Sequence, residues 1–218
     1  SFNCPKDIKV AYICASKTNK NYCENNLRKA HTINVINTLA LIKKLRKNNI
    51  FVVFLSSVEV FPGNKSKYEV KDKTNPTSSY GRFKEEVEKN LANDQGCSII
   101  RMTKVLDKST PIIMSWSDKL FNGKTIAAFD NVLISPISAR YASEKIYSIG
   151  TKQVPGIFHI SGSQDISYYS LLTKLKLKHF YTNKILKQSA KNMPKFASLR
   201  TLYDMQNIDS VINDISKV

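Results

Sequence analysis

Three short runs of almost unbroken apolar residues constrain this chain more than any other feature. They are residues 8–14 (IKVAYIC), 51–55 (FVVFL) and 97–102 (CSIIRM). A strand with one wet face alternates apolar and polar residues, whereas a continuous run needs cover on both faces. Between the runs lie stretches of helical length, residues 25–48 and 78–93, the second following a break at Pro76. Strand, helix and strand in succession, with both strand faces buried, predict parallel βαβ units in an open α/β sheet.

After residue 105 the pattern loosens. Helices are expected over 112–121, over 137–148 with Pro136 near the start, over 167–175, and from Asp209 to the end. Short strands are expected over 125–129 and over 156–160, the latter closed by Ser161-Gly162. The last forty residues read as basic and irregular ahead of the terminal helix. A chain of 218 residues can build one sizeable core and a small lobe. Residues 1–105 therefore read as a Rossmann-like catalytic part. Residues 106–218 read mostly as a small C-terminal α/β substrate lobe, with some return to the first part.

A formal charge of +17 raises nucleic-acid binding. The lysines are spread along the chain rather than gathered in a patch, and no helix-turn-helix, zinc-finger or RNA-binding signature accompanies them, so nucleic acid is not the expected partner. The same field favours an anionic small substrate such as a nucleotide diphosphate. No apolar run reaches the roughly 18–20 residues of a membrane span. Residues 1–6 lack the pattern of a signal peptide. Cysteines 4, 14, 23 and 97 form no C-x-x-C pair, so no metal site is expected, and Cys14 reads as a buried core thiol. Cysteines of this kind fit a reducing, cytoplasmic compartment.

The chemistry-bearing signal is Tyr80-Gly81-Arg82-Phe83-Lys84. Residues four apart on a helix share a face, and an ammonium beside a phenol stabilises the phenolate. Tyr80 is thus expected to titrate below its ordinary value near 10 and to serve as a general acid/base. The 51–55 strand runs into Ser56-Ser57, and open α/β sheets hold ligands at strand carboxyl ends. The 22 residues between Ser57 and Tyr80 read as a polar loop, and a loop so long is uncommon without a function. Asn34 lies in a helix apolar on most sides, where a polar group needs a partner or a role.

These features resemble the extended short-chain dehydrogenases/reductases, and within them dTDP-4-dehydrorhamnose reductase-like proteins. The resemblance is carried by VAYICAS (10–16), CENN (23–26), INVINT (33–38), VVFLSSVEVFPG (52–63), YGRFK (80–84), IIRMTKV (99–105), FHISG (158–162) and KFASLRT (195–201). It implies a reductase of a 4-keto nucleotide sugar. Ser57 would polarise the carbonyl, Tyr80 would donate the proton, Lys84 would bind the cofactor ribose and lower the Tyr80 pKa, and Asn34 would complete a tetrad. It also implies Ala15, Ser16 and Thr103 as cofactor neighbours; Glu59, which follows Ser57 on the loop, and Lys104 are further candidates for the substrate side. The cofactor implied is NADP or NAD, and the partners are a nucleotide sugar and a second chain, as a homodimer or a complex. An epimerase or dehydratase would reuse the same residues.

The family opens with a strand, a G-x-x-G-x-x-G loop for the pyrophosphate, a helix and two further strands. The seven glycines here, at 63, 81, 96, 123, 150, 156 and 162, form no such loop. The 8–14 strand corresponds to the family's fourth. It is expected to present an open edge, and dinucleotide binding is expected to be weak. A non-catalytic binding or regulatory protein of the same fold is the alternative. Of the remaining features, His159 reads as structural, His31 and His179 as surface residues, 85–89 (EEVEK) as a charged outer face, and Trp116 with Phe121 as core.

Overall fold

The computed structural model describes residues 7–191 and 193–216; the expectations for residues 1–6, Cys4 among them, lie outside the described residues. The chain divides into two compact units. The first takes the described part of Ser1–Pro62 together with Glu69–Met102 and Ser143–Ile160, and the second takes Gly63–Tyr68, Thr103–Ala142 and the described part of Ser161–Val218.

In chain order the elements begin with β1 (Val10–Ile13), α1 (Lys20–Asn25), α2 (Leu27–His31), a π-helical turn (Thr32–Ile36) and α3 (Asn37–Lys47). They continue with β2 (Phe51–Ser57), a 3-10 turn (Val58–Val60), α4 (Ser79–Leu91) and β3 (Cys97–Met102). Next come β4 (Val105–Leu106), α5 (Pro111–Phe121), β5 (Ile126–Phe129), β6 (Leu133–Ile134), β7 (Ile137–Ser138) and α6 (Ala139–Lys152). The chain then runs through β8 (Gly156–Ile160), β9 (Ile166–Ser167), α7 (Tyr168–Lys178), β10 (Ile185–Gln188), β11 (Phe196–Ala197) and α8 (Ile208–Ser216).

The first unit holds a parallel sheet in the order β1-β2-β3-β8. Residues 51–54 of β2 are buried, as are Cys97 to Arg101 of β3, which is why these strands show no alternation. The core forms where Ile42, Leu45, Val52, Phe54, Val87 and Ile99 meet. Among the described residues β1 pairs only with β2, and its first three residues are only partly buried. Cys14, expected in the core, lies just past this edge strand and is exposed. The strand starts two residues later and ends one residue sooner than its apolar run.

Four helical pieces stand in place of the expected single helix over 25–48, the first of them, α1, almost wholly ahead of that range. Asn19 caps the first, its side-chain oxygen accepting from the Tyr22 N–H at 2.8 Å. The π-helical turn then inserts extra backbone ahead of α3. The charged run 85–89 is not uniformly outward: Val87 and Glu88 are buried. Both lie one turn after Lys84 on the inward face of α4.

The second unit is made of small sheets around a helical core. β4 pairs with β7 and β5 with β10, both parallel, while β6 pairs with β11 in parallel and with β9 in antiparallel fashion. Ile113, Trp116 and Leu120 of α5 form the buried stripe against Ile126, Leu171 and Val211. Phe121, expected in this core, is 79% exposed, because it lies about 100° round the helix from Leu120. The helix expected over 137–148 starts later, after β7, and runs on to Lys152. No described helix is long and apolar enough to cross a membrane.

Candidate functional site

Ser57 is the last residue of β2, at the carboxyl end of the parallel sheet. Its hydroxyl accepts the Glu59 N–H at 3.2 Å and so caps the 3-10 turn. Helix α4 starts at a second cap, the Ser78 hydroxyl accepting the Gly81 N–H at 3.1 Å. Gly81 lets this helix end press on the turn: a Cβ there would stand 2.2 Å from the Glu59 carbonyl oxygen and 2.9 Å from the Pro76 Cβ. The glycine between Tyr80 and Lys84 is therefore a packing requirement of the motif.

Lys84 is buried. Its Nζ donates to the Leu55 carbonyl at 2.8 Å, two residues before Ser57. The ammonium also sits 4.7 Å from the centre of the Phe54 ring and 5.7 Å from that of Tyr80. One backbone acceptor thus ties the helix bearing Tyr80 to the strand bearing Ser57.

Asn34, buried on the π-helical turn, faces the loop after β1. Its Oδ1 accepts from the Lys17 N–H at 2.8 Å and from the Ser16 hydroxyl at 3.1 Å, while its Nδ2 donates to the Lys17 carbonyl at 3.0 Å. The amide is fully used in holding this loop, which carries Ala15, exposed, and Ser16, partly buried. The Ser16 side chain also acts on the Tyr80 phenol, favouring its ionised form. Glu59 carries its charge to the same phenol and pairs with Lys20 at 2.6 Å.

Behind these groups lies a buried ionic cluster that the sequence reading missed. Glu88 of α4 accepts from Arg101 of β3, Nη2 to Oε2 at 2.7 Å and Nε to both carboxylate oxygens at 3.1 Å. Both side chains are 5% exposed. The Ser56 hydroxyl donates to the same carboxylate. Arg101 also bonds the Val70 carbonyl at 3.3 Å, and its Nη1 faces His159 Nε2 at 3.4 Å. The signal was present: Arg101 is the one charge in an otherwise apolar strand, and a buried guanidinium requires an acid.

The chain matches the family described as RmlD substrate binding domain over residues 5–199, nearly its whole length. It belongs to that family. Among solved structures, a dTDP-4-dehydrorhamnose reductase from Clostridium acetobutylicum superposes with a TM-score of 0.89 at 20% identity, covering 96% of this chain and 81% of that one. The enzyme of that name from Bacillus anthracis, solved in complex with NADP, gives 0.88 at 18% identity, covering 95% and 78%. These likenesses establish the Rossmann-like fold. By sequence, the chain is 26% identical over 179 residues to methionine adenosyltransferase 2 subunit beta from Bos taurus. That match covers 72% of this chain and 51% of the relative, so the chain spans about half the length of the curated relatives it matches.

Electrostatics in this RmlD-family chain depart from expectation. The Tyr80 phenol lies well above its ordinary value, not below it. Burial is the main cause, the Glu59 carboxylate adds to it, and the Ser16 side chain opposes both. Lys84 gives no relief, because burial depresses the lysine itself, to about 8, against the raising pull of Glu88 and the Cys14 thiol.

Thr103 and Lys104 belong to the second unit. The Thr103 hydroxyl donates to the Ser135 carbonyl at 2.6 Å, and the Lys104 carbonyl accepts from the Ile137 N–H at 3.0 Å. The second unit also holds a cavity of about 190 Å³ lined by Ile112, Trp116, Phe129, Tyr168, Gln188 and Met193. Among the described residues no group of three or more His, Cys, Asp or Glu could hold a metal.

Proposed function

We propose that this chain carries the catalytic portion of an NAD(P)-dependent reductase of a 4-keto nucleotide sugar. The observation that supports this reading is the Lys84–Leu55 bond, which joins the Tyr80 helix to the strand ending in Ser57. Ser57 would hydrogen-bond the carbonyl oxygen and Tyr80 would deliver a proton to it. A phenol held high stays protonated at neutral pH, which suits donation in the reductive direction. Bound nicotinamide would supply hydride to the carbonyl carbon. The residues present suit the ribose end of such a cofactor: Lys84 uses one of its three N–H groups on Leu55 and keeps two for a diol. Ser16 and Ala15, on the loop after β1, would border it. None of the seven glycines forms a pyrophosphate loop, so the fit extends to that end only.

A second reading takes the chain as a binding subunit without turnover. Its support is that the relatives found by sequence carry the name of a subunit. An epimerase or dehydratase role rests on fold alone, through likenesses such as a UDP-glucose 4-epimerase from Thermotoga maritima.

The test is to titrate the chain with NADPH and NADH by fluorescence, then to follow cofactor absorbance with a dTDP-4-keto sugar. The reductase reading expects saturable binding and turnover that Tyr80→Phe lowers by about 100-fold or more, the scale of a lost general acid. Undetectable binding at millimolar cofactor would sink it and leave the subunit reading.

A further inference from the structure

Glu88 touches none of the groups assigned to chemistry, yet it stands directly behind them. It follows Lys84 by four residues on α4, which places the two side chains on one helix face with Cβ atoms about 5–6 Å apart. Both are buried. A buried ammonium loses its hydration and tends to discard its proton unless a negative charge opposes that loss. Glu88 is the largest such influence on Lys84, and the Cys14 thiol past β1 is the smaller one. From β2, Lys84 meets only the uncharged Leu55 carbonyl and the Phe54 ring. Arg101 of β3 bonds Glu88, and the His159 ring of β8 faces that guanidinium.

The carboxylate is itself held rigidly. Ser56, the neighbour of Ser57, donates to one oxygen, and the Arg101 fork clamps both. We propose that Glu88 is a positioning residue: clamped by Ser56 and Arg101, it keeps Lys84 an ammonium fixed on the Leu55 carbonyl beside Tyr80. The cluster thus converts a structural ion pair into control over the charge of the motif lysine. Any part it plays in turnover rests on the reductase reading above, whereas its effect on Lys84 does not.

The experiment is an NMR titration of the free chain labelled with ¹³C,¹⁵N-lysine, the Lys84 signal being assigned by its loss in Lys84→Arg. The unaltered chain should titrate at Lys84 near 8. In Glu88→Gln the midpoint should fall to about 7 or lower, the scale of one nearby charge. A midpoint that stays where it was overturns the proposal. Should Glu88→Gln fail to fold, with Arg101 left unpaired, Glu88→Gln/Arg101→Met is read against Arg101→Met, below whose Lys84 midpoint it should titrate. No cofactor or substrate enters the measurement. Absence of turnover in the unaltered chain would therefore sink the reductase reading alone, and an unmoved Lys84 would sink this inference alone.

Discussion

Each unit contains a carboxylate–guanidinium pair, and the two pairs differ in where they leave the arginine. In the first unit Glu88 and Arg101 are both sealed, each 5% exposed. In the second, Asp214 is 7% exposed but its partner Arg140 is 59% exposed, with Nη2 to Oδ1 at 3.0 Å. Asp214 relies on other donors as well: the Ser138 hydroxyl at 2.7 Å and the Gln206 amide at 2.9 Å. Burial pushes its carboxyl up, but the bonds from Ser138, Arg140 and Gln206 outweigh this and hold it below the usual range. The inner pair is thus a mutual necessity, while in the outer one the arginine is dispensable. Equal chemistry at equal distance carries different weight once solvent can reach one partner.

The contrast breaks first at Arg101. Arg101→Met should destabilise the chain by about 3–5 kcal/mol, because it strands a buried carboxylate. Adding Glu88→Gln to it should recover most of that loss, as read by urea denaturation. If the single variant costs less than about 1 kcal/mol, the inner pair is no more demanding than a surface pair.

The field of the inner pair also reaches a third charge, and pH sharpens this. Lys84 titrates at about 8 in the folded chain against an ordinary 10.5. Folding therefore bears the cost of a buried ammonium below pH 8 and sheds it as pH rises toward 10.5. Lys84→Met should gain on the unaltered chain at neutral pH, and this advantage should shrink by about 3 kcal/mol across that window. A pH-independent difference would contradict the assignment. The smallest effect belongs to the outer pair: Arg140→Ala should cost less than about 1 kcal/mol and lose even that in high salt.

Much of this was legible from residue order. β2 and β3 announced themselves because both faces are covered, and α4 because a stretch of helical length follows the break at Pro76. The glycine inside the Tyr80–Lys84 motif was visible, though not its reason, since close approach to the Glu59 carbonyl is a tertiary fact. Glu88 was misread because three acids crowd one stretch, 85–89, and composition does not say which turns inward. Its spacing from Lys84 did say so, had the charge of Arg101 within a buried strand been taken as a demand for a partner. The direction of the Tyr80 shift was misjudged for a similar reason: a lysine near a phenol helps only while it stays fully charged itself. In the second unit, strands of two to four residues are too short to show any period, so most went unseen.

The wide turn at Thr32–Ile36 has a consequence for length variation in this chain. An α-helix advances about 100° per residue, so the surplus there sets the phase between the N-terminal helical pieces and α3. Removing one residue would leave two choices. Either Ile42 and Leu45 rotate off the sheet, or the Asn34 amide swings away from the loop it staples at Lys17. Insertions and deletions in this segment are therefore coupled to the shape of a loop some twenty residues upstream, and a chain can shed the wide turn only by giving up either that staple or the seat of α3 on the sheet.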